Sequence, residues 1–412
     1  MNKRKIINDP VFGFVTLSTD KVYDVLQHPF VQRLGRIRQL GLSYYVYPGA
    51  QHSRFSHSIG AMHLMQEGLS MLQQKGVPIS SEENEAAQIA ILLHDVGHGP
   101  FSHVLEHTLV HGITHEEISL MMMEQIDKDL ATKEEEHPLG LAIDIFRNAY
   151  SRHFFHQLLS SQLDVDRMDY LCRDSFFCGV QEGRVASERL LKMLHVVNDH
   201  LVVEQKGIYS VEKFLVARRL MYWQVYLHKT SVAAEQLLIK ILLRAKELAA
   251  QGKELFCSPA LHYFLYNHIS AEDMTAGSES LRQYALLDDS DVVSAIKAWM
   301  DEDDRTLALL CEMFVNRRLF HGTLRKEHLT KAEKDALSER LAKALAIRKE
   351  EAHYFYQEHI STSNTYSEKA DSIDILYQDG AVKDISEASE ILDLKLLTFK
   401  PQKLYLFEAR TE

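Results

Sequence analysis

The sequence is poor in cysteine, with four in 412 residues: Cys172, Cys178, Cys257 and Cys311. None forms a C-x-x-C pair, which argues against a disulfide framework and against a cysteine zinc site. Reduced, buried thiols in a cytosolic protein are the simplest account. Residues 1–14 begin basic but contain no apolar h-region, so no secretory signal is expected there. No apolar run approaches the ~18 residues that cross a bilayer. A cytoplasmic location without membrane contact is therefore expected. Basic blocks are also missing: 46 Lys and Arg face 58 Asp and Glu, for a net charge of -12. General nucleic-acid binding is disfavoured on charge grounds. An anionic substrate would need a locally positive pocket, so clustered arginines become informative. There is no internal repeat and no low-complexity tract.

What is present is ordinary in bulk. Hydrophobic residues make up 46% and charged residues 25%, the balance of a soluble globular chain with a full core. The length suggests two or three domains, or one large helical core with an appendage. The informative stretch runs from Ala86 to His103. Ala86 to Leu93 is almost unbroken apolar sequence without Pro or Gly, which reads as a buried helix. It delivers His94-Asp95-Val96-Gly97-His98-Gly99-Pro100-Phe101-Ser102-His103. Polar groups at the end of a buried helix are costly unless paired or ligating. Gly97 and Gly99-Pro100 should stop the helix just past His94-Asp95. Three readings compete. The histidines could simply cap carbonyls. His94 and His98 could form an H-x-x-x-H zinc motif, but that needs a continuous helix, which Gly97 opposes. Or the His94-Asp95 doublet ligates a divalent metal with help from elsewhere, the reading favoured here.

Along the chain, residues 21–40 read as a helix pair broken at His28-Pro29, with Arg33, Arg36 and Arg38 on what is ordinarily a solvated face. His52, Arg54 and His57 arrive together at the start of a helix running through Leu72, where an anion would be favoured. Ser80 and Thr114 read as helix N-caps, the latter with Glu117 as a capping box. Residues 127–138 read as a charged surface loop. Residues 161–174 alternate acids, arginines and apolar residues. They read either as a surface salt-bridge helix or as a helix in which Asp166 completes a metal site and Arg167 faces phosphate. A β-hairpin with a Lys206-Gly207 turn is expected over residues 201–209. A long helix is expected over 211–229, rich in Arg and Tyr. The chain ends in short β-prone runs. The fold class is thus mainly α: an all-helical core over residues 1–250 with its metal site within 50–175, a helical extension over 251–365, and a small α/β C-terminal lobe over 366–412.

Three strings together carry a resemblance: Arg54-Phe55-Ser56-His57-Ser58, the 94–103 stretch, and Asp164-Val165-Asp166-Arg167-Met168-Asp169-Tyr170. They resemble the HD-domain metal-dependent phosphohydrolases, and within them the deoxynucleoside triphosphate triphosphohydrolase branch. The resemblance runs from about residue 9 to residue 229. It implies an enzyme that hydrolyses deoxynucleoside triphosphates to a deoxynucleoside and inorganic tripolyphosphate. It implies one divalent metal ion per subunit on His57, His94, Asp95 and Asp166, whether Mn²⁺, Fe²⁺, Mg²⁺, Ni²⁺ or Zn²⁺. It implies His98, His103 and His115 around the scissile phosphate, with Glu106 orienting His103 as general acid or base. Arg54, Arg167 and Arg218 would hold the triphosphate. Gln39, Tyr170 and Asp174 would read the sugar 3′-hydroxyl, and Tyr226 would close the sugar side. A homo-oligomer, dimer or tetramer, is implied too. Ser56, Gly35 and Tyr222 depart from the vertebrate members, which questions activation of the vertebrate kind. Two other classes stay open: an HD phosphohydrolase acting on another nucleotide or phosphate ester, and a nucleotide-sensing module with little turnover.

Overall fold

The computed structural model describes residues 5–411 apart from 102, 103, 105–107, 109, 111, 363–371 and 390–400. The chain opens with an antiparallel pair, β1 (Ile6–Asp9) and β2 (Gly13–Thr16). Then come α1 (Asp20–Gln27) and α2 (Pro29–Arg33). The break falls at His28, whose Nδ1 accepts from Phe30 N while Pro29 starts the second helix, the first-turn position that proline tolerates. Of the three arginines beyond it, Arg36 alone keeps an exposed side chain. Arg33 is fully buried and donates to the backbone oxygens of Leu287 and Val96. Arg36 and Arg38 pair with Asp288 and Asp289.

Two long helices set the frame. α3 (Arg54–Gln74) is capped by Ser53, and α4 (Ser81–Leu93) begins with a reciprocal Ser80–Glu83 capping box. α4 buries every residue from Ala86 to Leu93. Each of Ile89, Ile91, Leu92 and Leu93 contributes roughly 1.5–3 kcal/mol by that burial, so the residue that follows, His94, hangs from a fixed anchor. α5 (His115–Leu130) carries the expected Thr114–Glu117 box. It runs further than expected into the 127–138 stretch, because Asp127 is buried and accepts from Leu139 N at 2.7 Å. The short helices α6 (Gly140–Phe146) and α7 (Phe154–Leu159) lead to α8 (Val165–Cys178), capped by Asp164 and ended by Gly179 in the left-handed region.

After α9 (Ser187–Met193), the hairpin lies earlier than predicted. β3 (Leu194–Val197) pairs with β4 (His200–Glu204) across Asn198-Asp199. Both turn residues have positive φ, 50° and 60°, which matches a type I′ hairpin. Lys206-Gly207 instead forms a 3₁₀ turn into α10 (Ile208–Met221). The long Arg/Tyr helix is also two helices. A π-helical turn over Tyr222–Tyr226 closes with Leu227 N donating to Tyr222 O, and His228 caps α11 (Lys229–Ala250).

The rest is helical up to the C-terminal strands: α12 (Pro259–Tyr266), α13 (Glu279–Leu286), α14 (Asp289–Ala298), α15 (Arg305–Val315), then β5 (His321–Arg325) and α16 (Lys331–Leu345). β6 (Tyr356–Thr362), β7 (Asp374–Leu376), β8 (Val382–Asp384), α17 (Ile385–Ala388) and β9 (Gln402–Glu408) complete it. β7 pairs in parallel with β4, and β9 lies between β5 and β6. The fold is mainly α with an α/β C-terminal region. Among the described residues, no helix is long and apolar enough to cross a membrane.

Candidate active site

Three helices bring one imidazole, one His-Asp doublet and one carboxylate to a common point. His57 lies on the first turn of α3, His94 caps the end of α4, and Asp166 sits in the first turn of α8. The ligand atoms of His57, His94 and Asp166 all fall within 4.8 Å of one another. Asp166 Oδ1 is 3.1 Å from His57 Nε2 and 3.3 Å from His94 Nε2. Asp95 adds Oδ1 at 3.4 Å from His94 Nε2 and Oδ2 at 3.8 Å from His57 Nε2.

The other ring nitrogens decide what these atoms can do. His94 Nδ1 lies 2.7 Å from Ile91 O. A carbonyl only accepts, so Nδ1 must carry the proton and Nε2 is left as the ligand atom. His57 Nδ1 donates likewise to Asp169 Oδ2 at 2.6 Å. Both Nε2 atoms are buried and lack a hydrogen-bond partner. Their approach to Asp166 is close but not aligned for a hydrogen bond, as expected of ligands arranged round a shared ion. An imidazole held through its second nitrogen by a carboxylate or carbonyl is the usual support of a metal ligand. The donor set of two nitrogens and carboxylate oxygens suits a divalent cation. The charges agree. Burial pushes His57 down, but Asp166 and Asp169 outweigh it and hold it up at about 10. Burial opposes ionisation of Asp166, yet His57 and His94 hold it well below the carboxylate range. The carboxylates therefore favour positive charge at His57 Nε2, which either a proton or a metal ion can supply. This His-His-Asp cluster fits a divalent metal site.

The support behind His57 is a buried ion-pair chain. Arg173 donates to Asp169 through Nε and Nη2, both at 2.9 Å, and through Nη1 to Asp9 Oδ2 at 2.7 Å. Asp169 and Arg173 are fully buried, so the 161–174 segment is not a surface helix. Gly60, one turn beyond His57, makes the room: a Cβ there would stand 1.9 Å from Asp169 Oδ1 and 2.1 Å from Arg173 Nη2. Gly97 serves α5 the same way, since a Cβ would meet His115 O and Ser119 N at 2.3 Å. That close approach is locked by Ser119 Oγ, which accepts from Gly97 N and donates to His94 O. It lays the His115 ring parallel to His98, with centroids 3.9 Å apart. Burial, reinforced by nearby Arg54, pushes His98 down to about 3, so its ring is neutral.

A cleft of about 700 Å³ opens from this cluster. Of the residues predicted from sequence, Gln39, Arg54, Asp95, His98, His115, Asp166, Arg167, Tyr170, Asp174 and Tyr226 all line it. Arg54 Nη1 donates to Asp95 Oδ2 at 2.6 Å, and Arg167 is tied to Asp164. Asp174 accepts from His52 Nε2 at 2.7 Å and from the Tyr226 hydroxyl at 2.8 Å. Gln39 Oε1 is buried without a partner. Arg218 stands outside the lining and donates to Gln162 Oε1 at 3.0 Å. His103 and Glu106 lie outside the described residues. Sequence reasoning left Asp169 unassigned, though its offset of three from Asp166 put it on the same helix. It gave no hint of the far wall, where Val232, Glu235, Gln236, Ile239 and His359 line the cleft.

The cluster's helices coincide with a known family. The HD domain profile matches residues 54–174 and an HD-associated region matches 185–256. A phosphohydrolase of Bacteroides thetaiotaomicron, known by crystal structure, is 52% identical, covering 99% of this chain and 100% of that one with a TM-score of 0.95. An uncharacterized protein of Bacillus subtilis is 34% identical over 78% of this chain and 72% of its own length. A human deoxynucleoside triphosphate triphosphohydrolase is 28% identical over 62% of this chain but only 48% of its own, so the chain spans about half the length of that relative. A fold shared end to end with a half-identical phosphohydrolase, and a domain profile lying on the helices that present the bare nitrogens, place this chain in the HD-domain phosphohydrolase family.

Proposed function

We propose that this protein hydrolyses deoxynucleoside triphosphates, with one divalent metal ion per subunit, to a deoxynucleoside and inorganic tripolyphosphate. The observation that carries the reading is the set of groups gathered in one cleft: Asp95 and Asp166 of the metal cluster, the Arg54 and Arg167 guanidinium groups, and the polar Gln39, Asp174 and Tyr226 all line it. Similarity to deoxynucleoside triphosphate triphosphohydrolases supports it.

His57, His94, Asp95 and Asp166 would hold the ion, which supplies Lewis acidity towards a phosphoryl oxygen. Arg54 and Arg167 line the same cleft and would neutralise phosphate charge, the main electrostatic need of phosphoryl chemistry. His98, held neutral, can take or pass a proton beside His115. His103, with Glu106 to orient it, would serve as the general acid or base of the reaction. The unpartnered Gln39 Oε1 would accept from the sugar 3′-hydroxyl, with Asp174 beside it. Tyr170 would join them in reading the 3′-hydroxyl and excluding a 2′-hydroxyl, and Tyr226, fixed on Asp174, would close the sugar side. A cytoplasmic homo-oligomer completes the proposal. Tyr209 and Leu220 on α10 are exposed, at 64% and 46%, and offer an apolar interface to be tested by light scattering.

A second reading rests on Arg218. Its turn towards Gln162 leaves fewer cations for a triphosphate, which favours a smaller phosphate ester. Phosphorus NMR separates the two. Purified protein with Mn²⁺ is incubated with each of the four dNTPs, a ribonucleotide and a nucleoside monophosphate, beside Asp166→Ala. Tripolyphosphate that disappears in the variant is the expected result. Orthophosphate or pyrophosphate as the product would sink the proposal.

A further inference from the structure

The far wall of the cleft comes from elements beyond the HD profile. Val232, Glu235, Gln236 and Ile239 lie at offsets of three, four and seven on α11, so they share one helical face, and all four line the cleft. Val232 and Ile239 are apolar flanks suited to the faces of a flat ring. Between them Gln236 meets His359, which arrives from β6, with Gln236 Nε2 3.4 Å from His359 Nδ1. The His359 ring is seated against Phe407 of β9, with centroids 6.2 Å apart.

Resting on the triphosphohydrolase reading above, we propose that Gln236 and His359 form a polarity-reversible pair that reads the hydrogen-bonding edge of the nucleotide base. The argument is one of donor and acceptor counting. A neutral imidazole has one donor and one acceptor, and a primary amide has both. If the amide N–H donates to His359 Nδ1, the cleft meets His359 Nε2–H as donor and Gln236 Oε1 as acceptor. If the amide turns over and Oε1 accepts from Nδ1–H, the cleft meets Nε2 as acceptor and the amide N–H as donor. Adenine and cytosine present an amino donor beside a ring-nitrogen acceptor. Guanine and thymine present a carbonyl acceptor beside a ring N–H donor. The two states of the pair complement the two base classes, so one site serves all four. Burial lowers the His359 pKa, which keeps the ring in the neutral form that the exchange requires.

The test fixes the polarity. Gln236→Glu sets a carboxylate against His359 Nδ1, and that negative charge favours the doubly protonated ring, so both ring nitrogens donate, the carboxylate only accepts, and the pair keeps one order. kcat/KM for tripolyphosphate release is measured with dATP, dCTP, dGTP and dTTP. The natural protein is expected to treat the amino and keto bases within roughly tenfold of one another. Gln236→Glu is expected to lose dGTP and dTTP turnover by roughly tenfold or more relative to dATP and dCTP, the cost of one mismatched hydrogen bond. His359→Gln, whose amide can also turn over, is expected to keep the natural proportions. Tripolyphosphate from any base shows that a variant is folded and that the underlying reading holds. With tripolyphosphate still released, unchanged proportions in Gln236→Glu would overturn the pair, as would a natural protein that already separates the two classes by far more than tenfold. Absence of tripolyphosphate from the natural protein would overturn the reading on which the pair depends, and the pair with it.

Discussion

Asp169→Asn is nearly isosteric, yet it should disable the metal centre from a distance of one residue. Asp169 takes a proton donor from His57 Nδ1 and two from Arg173. Asparagine cannot serve both sides. With its oxygen towards His57, its amide N–H₂ faces a guanidinium that offers only donors. With its amide towards His57, Nδ1 must become the acceptor and the proton moves to Nε2, the nitrogen aimed at Asp166. Removing one partner of a buried ion pair costs about 3–5 kcal/mol. Arg173 keeps Asp9, so a loss near the lower end, about 3 kcal/mol, is expected in urea denaturation. Mn²⁺ affinity measured calorimetrically should weaken about 10–100-fold, as for other orienting partners of metal-bound histidine. Asp9→Asn supplies the contrast: it weakens the same guanidinium without touching His57, so stability falls while metal affinity moves little. A folded Asp169→Asn protein that binds Mn²⁺ as tightly as the natural one would refute the tautomer argument.

Two further outcomes follow from buried groups. Gly60→Ala should destabilise by about 1–3 kcal/mol through overpacking, although alanine gains about 1 kcal/mol of helix propensity. Gly68→Ala on the same helix meets only a Leu191 methyl at 3.3 Å and should come out near neutral, so equal effects at the two sites would contradict the packing argument. Lys240 is only 8% exposed, and burial pushes it down to about 8. The unfolded chain then binds the extra proton between pH 8 and about 10.5, so stability should rise with pH across that window. Lys240→Met should be more stable at pH 7 by roughly 3 kcal/mol, and its advantage should fade as pH climbs through the window. Denaturation curves of both proteins at pH 7, 9 and 10.5 test this, and a destabilised Met variant would show that the ammonium group has an undetected partner.

The parts of the site visible in the sequence were those written in local code. The apolar run before His94 predicted its anchoring, and Gly97 predicted the break that excludes a continuous H-x-x-x-H helix. The Ser80 and Thr114 caps marked true helix starts. What stayed hidden was set by packing between distant segments. Nothing near Arg33 announces a strut to Leu287, 254 positions away. Asp169 looks like any acid on a charged helix until α3 is laid against α8. The Lys206-Gly207 turn failed because Asn198-Asp199 had the stronger hairpin chemistry. The π turn at Tyr222 escaped because periodicity over residues 211–229 does not register one inserted residue.

The placement of β9 has a consequence for how the protein comes into being. Residues 402–408 form the middle strand of their sheet, and without them β5 and β6 have no partner in common. His57, His94 and Asp166 are all made long before residues 402–408 reach the growing chain. The seat of His359 waits for Phe407. Since domains tend to fold from the N-terminal side during synthesis, the segments that carry the metal cluster can fold before the strand that seats His359 exists.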